Sequence, residues 1–224
     1  NELSQYSEMK YNDIEKILFS NTCSNAKEYL VVINTLLDKM PITSAKLAKI
    51  YFKDWDLTMR ANQVAPTIFN ALIAKLIEET FGDELPYVVN DILTYRMIFE
   101  QEFLRLFKED KTAYFDDVTT LEKIESRDMI FDRAFLHSLK LFNYKIGPYI
   151  DEWKWGNVHT ATINHLNANW LKKNIVKGKE ISFDGCDTTV YRSLALNDNF
   201  MVDTATICCV YMNNKVHRVW FSTS

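Results

Sequence analysis

The sequence predicts an α+β protein that is mostly helical and ends in a β-hairpin. Up to about residue 145, apolar residues recur at the spacing of amphipathic helices. After Gly147, helix-forming residues become scarce, and Asn, Asp, Thr and Gly increase. Two β-prone runs, Thr204–Tyr211 and Lys215–Phe221, then flank Met212-Asn213-Asn214, where asparagine tolerates a positive φ. These observations together predict the fold class.

Three short helices are predicted near the start of the chain. Asn12 and Glu15 have the spacing of an N-terminal capping pair. Ser24 opens a second helix that stops at Pro41, and Thr43 can cap a third. The apolar faces are predicted to contain Ile14, Ile17 and Leu18 in the first helix, Leu30, Val31, Ile33 and Leu37 in the second, and Leu47, Ile50 and Tyr51 in the third.

Three longer helices are predicted next. The first is a strongly amphipathic helix over residues 66–81, with a proline near its first turn, and the second covers residues 86–107. Thr119 and Glu122 form a capping box before the third, which Gly147-Pro148 ends. Their apolar residues are Ile68, Phe69, Leu72, Ile73, Leu76 and Ile77; then Val88, Val89, Ile92, Leu93, Ile98, Phe99, Phe103 and Leu106; then Leu121, Ile124, Ile130, Phe131, Phe135, Leu139 and Phe142.

Composition indicates a folding chain without a nucleic-acid partner or a membrane span. With 224 residues, 47% of them hydrophobic, there is ample material for a buried core. The 26 basic and 30 acidic residues are scattered, so no basic patch for nucleic acid is predicted. No apolar run reaches the roughly 20 residues of a membrane span, and no signal peptide follows Asn1. We expect a helical region over residues 1–147 packed with a loop-rich, hairpin-containing region over 148–224.

The four cysteines lack the C-x-x-C spacing of redox and zinc motifs. They are Cys23, Cys186, Cys208 and Cys209, and the last two are neighbours in a predicted strand, so their side chains point to opposite faces. Buried free thiols are the favoured interpretation, and one disulfide is the alternative. No cofactor is predicted, since the sequence contains neither a G-x-G-x-x-G motif nor a P-loop.

The densest cluster of candidate functional residues runs from Trp153 to His165, in the order Trp-Lys-Trp-Gly-Asn-Val-His-Thr-Ala-Thr-Ile-Asn-His. The spacing of His159 and His165 is not the i, i+4 spacing of a helical zinc site. A metal site that adds Asp184 or Asp187 is an alternative, because imidazole and carboxylate both bind zinc. Histidines that hydrogen-bond the backbone of a compact turn are commoner and are expected here.

Two other chemistries have weaker support. A Ser/His/Asp triad could include His159 or His217, but there is no G-x-S-x-G elbow and no S-x-x-K motif accompanied by its partner motifs. Two carboxylates near a glycine in Phe183–Val190 suggest calcium, yet the alternating ligands and final Glu of an EF-hand loop are missing. A polar turn that leads into a strand is the favoured interpretation.

The cluster from Trp153 to His165 resembles the W-x-W-G-x-x-H-x-x-x-x-x-H signature in the β chain of penicillin acylases and acyl-homoserine-lactone acylases. Further segments agree in order: residues 52–56, 63–69 and 81–85 resemble the helical W-D … S-A-x-x-x-F stretch, and Phe183–Arg192 resembles the G-D-G-x-T-V-N turn and strand. The resemblance covers roughly residues 8–222. Three departures weaken the subfamily assignment. Leu166 replaces the usual Pro after the second His, Asp184-Gly185-Cys186-Asp187 is a variant of the glycine-rich turn, and Tyr191 stands where Asn is typical.

The resemblance implies a larger αββα N-terminal-nucleophile hydrolase. Family members are autoprocessed, and the new N-terminal Ser, Cys or Thr of the β chain is activated by its own α-amino group. In the family's order that nucleophile, the oxyanion Asn and a downstream Arg precede the helices found here, and Asn1 is not a nucleophile. The resemblance therefore implies no catalytic, cofactor-binding or metal-binding residue in this chain, and no activity of the chain alone.

By the same resemblance the chain is a scaffold segment and an incomplete domain, in which the turn of Trp155, His159 and His165 joins helices to sheet. Its expected partners are the upstream β-chain segment and the α chain of a parent that hydrolyses N-acylated small molecules, in the periplasm or outside the cell. Residues 204–221 are expected to leave an apolar face uncovered or paired with a neighbouring molecule. The alternatives are a stand-alone helical binding module and a metal-dependent hydrolase that uses His159 and His165.

Overall fold

The computed structural model describes residues 10–94, 96–110, 112–163, 179–191, 193–196, 201–205, 210–212 and 215–218. Within these residues, α-helices are followed by short antiparallel strands, which confirms the predicted α+β class. The helices are α1 (Tyr11–Leu18), α2 (Ala26–Lys39), α3 (Thr43–Lys53), α4 (Ala65–Phe81), α5 (Val89–Thr94), α6 (Arg96–Glu109) and α7 (Arg127–Lys145). The strands are β1 (Thr160–Ile163), β2 (Lys179–Ser182), β3 (Ser193–Leu196), β4 (Met201–Ala205), β5 (Val210–Met212) and β6 (Lys215–Arg218).

Helix α4 forms the centre of the helical part. It starts at Ala65, with proline in its first turn as predicted, and is buried without interruption from Ala65 to Ile77. The predicted amphipathic character is wrong, because α3, α5 and α7 all pack against this helix. Even Asn70, which a one-sided helix would show to solvent, is only 1% exposed. A polar side chain in this position needs an internal partner.

The predicted start of the third long helix is also wrong. Helix α7 begins at Arg127, and Ser126 is its N-cap. Thr119, predicted as a capping residue, instead donates its hydroxyl to Asp117 Oδ1 at 2.6 Å in a local turn. Such short-range bonds compete with helix formation. Leu121, predicted to be apolar core, is consequently 95% exposed.

The predictions for α1 and α3 need smaller corrections. Helix α1 starts at Tyr11, and the backbone N–H of Lys10 donates to Asp13 rather than Asn12 pairing with Glu15. Helix α3 buries a different face from the predicted one: Ala45, Ala48 and Phe52. Alanines let α3 approach α2 and α4 closely, so the larger predicted residues Leu47 and Ile50 remain on the outer side.

The helix predicted over residues 86–107 corresponds to α5 and α6, on either side of residue 95, which lies outside the described residues. Its inner face is partly as predicted, since Ile92, Phe103 and the adjoining Phe107 are buried. The assignment of Ile98 and Phe99 to that face is wrong, because they are 68% and 44% exposed. The face that α6 buries against α2 runs through Arg96 and Glu100 instead.

The described strands form three antiparallel pairs: β1 with β2, β3 with β4, and β5 with β6. The predicted hairpin is present as β5–β6, where Met212 lies opposite Lys215. Of the run Thr204–Tyr211, predicted as one strand, Thr204 and Ala205 lie in β4, which pairs with β3, and Val210 and Tyr211 lie in β5. The turn residues Asn213 and Asn214, together with Cys208 and Cys209, lie outside the described residues. The structure does not describe the side-chain exposure of residues 204–221, on which the predicted uncovered apolar face depends.

Both halves of the chain contribute to the core. Trp153, Trp155, Val158 and Cys186 belong to the same buried cluster as the apolar residues of α2, α4, α6 and α7. Aromatic contacts such as that of Tyr29 with Phe69, whose ring centres are 6.0 Å apart, connect the helices. None of the described helices is long and apolar enough to cross a membrane.

Candidate functional site

The turn after α7 is fastened to the loop that precedes α4. The backbone N–H of Trp155 donates to Gln63 O at 2.8 Å, and that of Gly156 donates to Ala61 O at 2.7 Å. A Cβ on Gly156 would lie 2.8 Å from Ala61 Cβ and 2.9 Å from Ser182 Cβ. Glycine is required here because three backbone segments approach too closely for any side chain. This close approach explains the Trp-Gly part of the signature.

The Trp155 side chain connects this junction to the turn Asp184-Gly185-Cys186-Asp187, called the glycine turn below. Its indole is 1% exposed, and Nε1 donates to Gly185 O at 2.9 Å. The ring stacks on His159, with centres 4.4 Å apart and planes 18° apart. A buried tryptophan needs an acceptor for its N–H, and the turn supplies it. Trp155 therefore joins its own turn, the glycine turn and the signature histidine.

His159 and Ser193 form a buried pair with the composition of a catalytic dyad. His159 Nε2 lies 2.7 Å from Ser193 Oγ, and both residues are 0% exposed. Ser193 Oγ donates its single proton to the carbonyl oxygen of Asp184 at 2.9 Å. The histidine must then supply the proton of the other bond, which assigns the tautomer with Nε2–H. In this arrangement His159 is a donor to the serine, not a base.

The glycine turn is held by side chains at both of its ends. Asp184 Oδ1 accepts from the backbone N–H of Ala61 at 2.7 Å, and Oδ2 accepts from Asn21 Nδ2 at 3.4 Å. Thr189 Oγ1 donates to Tyr191 O at 2.6 Å. These bonds orient the turn toward α4 and the N-terminal segment.

A buried ion pair lies beneath this turn. Arg96, on α6, donates from Nη2 to Asp187 Oδ1 at 2.6 Å and to Asn70 Oδ1 at 2.7 Å. Burial lowers the pKa of Arg96, but neighbouring negative charge, that of Asp187 first, more than reverses this, so its pKa is raised. The guanidinium therefore stays charged and connects the glycine turn to α4 and α6.

Glu100 lies one helical turn from Arg96, and it is only 1% exposed. Neither of its carboxyl oxygens has a hydrogen-bond partner among the described residues, and neither does Arg96 Nε. Burial, followed by the charges of Cys23 and Asp187, raises the pKa of Glu100 to about 8, although Arg96 opposes the change. This carboxyl is consequently protonated at neutral pH.

The raised pKa of Glu100 predicts a stability that depends on pH. Unfolded, the carboxyl ionises near its ordinary pKa of 4.5, whereas in the folded protein it keeps its proton up to about 8. The free energy of unfolding should therefore fall as pH rises through this window, because the unfolded state binds fewer protons there. E100Q cannot ionise, so its stability relative to the native protein should rise between about pH 5 and about pH 8. Urea unfolding at several pH values measures this difference.

Glu102, exposed on the same helix, provides the matched control. The variant E102Q should keep the native pH profile, since other titrating groups are common to all three proteins and cancel. Parallel profiles for E100Q and the native protein would show that Glu100 does not titrate as inferred.

The structure separates the residues of the alternative metal site. Asp184 binds Ala61 and Asn21, Asp187 binds Arg96, and His159 binds Ser193. His165, like Leu166, lies outside the described residues. In the part of the chain that the structure describes, no three His, Cys, Asp or Glu side chains are grouped as metal ligands. The two carboxylates proposed for calcium face different partners.

The comparison with protein families agrees with this geometry. Residues 2–221 match the family model for penicillin amidase. The chain belongs to the penicillin amidase family. A search of curated proteins found no match to the chain. The suspected resemblance to penicillin acylases is confirmed, and the family match includes the Trp-Gly-His signature, the glycine turn and all the described helices.

Sequence reasoning missed Ser193, Arg96 and Asn70 of this penicillin amidase family member. For the arginine a signal existed. Ile92, Phe103 and Phe107 are buried on one stripe of this helical region. Arg96 and Glu100 fall on the same stripe, because the five positions follow one another at spacings of three or four. Two charged residues therefore lie among apolar ones. Charged residues in that position need a buried partner. Nothing in the spacing of Ser193 indicates its bond to His159.

Proposed function

We propose that this chain is a scaffold segment of an N-terminal-nucleophile amidase, and that the parent protein hydrolyses the amide bond of N-acylated small molecules. The observation that carries the proposal is the use of the signature histidine: His159 donates to Ser193, and both are fully buried. A general base must direct a free lone pair at the nucleophile. His159 directs a proton at Ser193.

The network around Trp155 supports a scaffold role more broadly. Its indole N–H, the backbone of Gly156 and the carboxylate of Asp184 all make bonds within the chain. These contacts tie the loop before α4, the turn after α7 and the glycine turn together. Residues of this kind give a neighbouring active site a rigid frame.

The described strand pairs support attachment to a larger sheet. Each has two strands, and two-stranded sheets are marginally stable in isolation. We propose that they belong to the αββα fold of the parent, which supplies the nucleophile, the oxyanion donors and the acyl pocket from its upstream β-chain segment and its α chain. The family resemblance alone supports autoprocessing and export of the parent to the periplasm or beyond.

The proposal is tested by expressing the chain alone and together with the upstream segments of its reading frame. Both preparations are assayed with a phenylacetyl anilide and with an acyl-homoserine lactone. We expect no hydrolysis by the chain alone. The assembled protein should hydrolyse an amide, and alanine in place of the Ser, Cys or Thr at the start of its β chain should abolish that activity.

Different outcomes separate the alternatives. Turnover by the chain alone, with the purified protein free of metal, would contradict the proposal. An upstream sequence that lacks any such nucleophile would favour the stand-alone binding module. Zinc bound at one equivalent, with activity that a chelator removes, would favour the metal-dependent hydrolase.

A further inference from the structure

Two buried thiols meet where residues 19–25, the segment before α2, contact the glycine turn. Cys23 and Cys186 are 0% and 1% exposed and are free thiols in this structure. Thr188 Oγ1 lies 3.5 Å from Cys23 Sγ and 3.2 Å from Cys186 Sγ. The same hydroxyl therefore contacts both sulfurs. The two thiols lie on either side of one side chain, although most of the chain separates them in sequence.

Backbone bonds hold both cysteines in place. The N–H of Cys23 donates to Leu57 O at 2.9 Å, and the preceding Thr22 pairs with Thr58 in an isolated β-bridge. The carbonyl of Cys186 accepts from Ser193 N at 3.2 Å. These bonds keep the two thiols close together in the folded chain. Closeness of this kind is the first requirement for a disulfide.

The surroundings make the two thiols chemically unequal. The neighbouring Cys186 thiol lowers the pKa of Cys23 to about 7 against the effect of burial, helped by Thr188 and by the N–H of Ala26 at the start of α2. Burial raises the pKa of Cys186 well above its ordinary value. A thiolate is the nucleophile in thiol–disulfide exchange. In the closed structure Cys23 is therefore the more readily ionised of the two thiols.

We propose that Cys23 and Cys186 form a reversible disulfide that links the segment before α2 to the glycine turn. The Cys23 thiolate attacks one sulfur of a small-molecule disulfide, which forms a mixed disulfide and releases one thiolate. Cys186 gives its proton to that thiolate and attacks Cys23 Sγ, which expels the second small thiolate. Both protein sulfurs are oxidised and the small disulfide is reduced. This inference does not rest on the proposed amidase function.

Burial of the pair determines when the exchange occurs. Since the sulfurs are closed to solvent, the oxidant reaches them while the chain folds or while the segment before α2 is detached. Once formed, the bond joins two distant parts of the chain and restricts the unfolded state. We expect a disulfide that forms readily on refolding and then resists reduction until the protein opens.

The test refolds the complete chain in oxidised and reduced glutathione, beside a sample kept in excess reductant. Peptide mapping without reduction should join the Cys23 peptide to the Cys186 peptide, and two free thiols should be lost. The midpoint of thermal unfolding should rise by about 10 °C relative to the reduced sample. T188V should keep the cross-link, because it removes a neighbour of both sulfurs but neither sulfur.

Two results would overturn the inference. One is native circular dichroism after oxidative refolding, with both thiols still titratable after denaturation. The other is a map in which Cys23 carries glutathione or is joined to a cysteine other than Cys186. Each of C23S and C186S should abolish the cross-link; where one of them fails to fold, the map of the native chain still decides.

Discussion

The variant R96M is expected to lower the free energy of unfolding by about 3–5 kcal/mol. Arg96 is 6% exposed and donates to both Asp187 and Asn70. Methionine fills a similar volume but leaves the Asp187 carboxylate buried without its counter-ion, and it leaves Asn70 Oδ1 without this donor. Removing one partner of a buried pair costs more than the pair itself contributes. Urea unfolding followed by tryptophan fluorescence measures the loss.

Two comparisons make this prediction specific. R105M changes an exposed arginine on the same helix, whose partners Glu102 and Glu109 are also exposed, and should leave the unfolding midpoint unchanged. R96M/D187L replaces both members of the buried pair with apolar residues and should recover part of the loss. Equal stability of R96M and R105M would contradict the buried network.

The variant G185A is expected to lower the free energy of unfolding by at least about 3 kcal/mol. Gly185 has φ +84°, a region that side chains disfavour, and its added Cβ would lie 2.3 Å from the carbonyl oxygen of Tyr191. Because that neighbour is backbone, the turn must move. This movement would break two hydrogen bonds of Gly185. Its carbonyl oxygen accepts from Trp155 Nε1 at 2.9 Å, and its N–H donates to Met59 O at 2.7 Å.

Gly147 provides the control for G185A. Its φ is +128°, but nothing lies within 4 Å of an added Cβ. G147A therefore reports backbone strain without a clash, and about 1 kcal/mol is expected. Similar losses for the two variants would mean that the glycine turn tolerates the displacement. A larger loss for G185A, measured by urea unfolding, supports the close approach.

Much of the fold could be predicted because helices have a strong local pattern. The 66–81 helix has a proline start and apolar residues at helical spacing, and the structure begins it at Ala65. Predicted helix boundaries were wrong where side chains make local hydrogen bonds that compete with a helix, as Asp117 does with Thr119. The predicted buried face of a helix was wrong where small residues determine the packing, as Ala45 and Ala48 do in α3.

The candidate site was less predictable, since its bonds connect parts of the chain that are distant in sequence. The motif identified Trp155, Gly156 and His159, and the structure shows what each contacts. No local pattern could join Ser193 to His159 or Arg96 to Asp187, because tertiary folding alone brings these pairs together. The same holds for the adjacent thiols of Cys23 and Cys186, whose spacing matches no motif.

The most direct measurement of the scaffold claim is kcat/KM for amide hydrolysis by the assembled parent protein carrying S193A. If the bond between His159 and Ser193 serves only the fold, S193A should keep kcat/KM within about twofold of the native value under conditions where it is folded. A loss of about 10³-fold or more, with circular dichroism and unfolding midpoint unchanged, would make Ser193 a nucleophile and contradict the account.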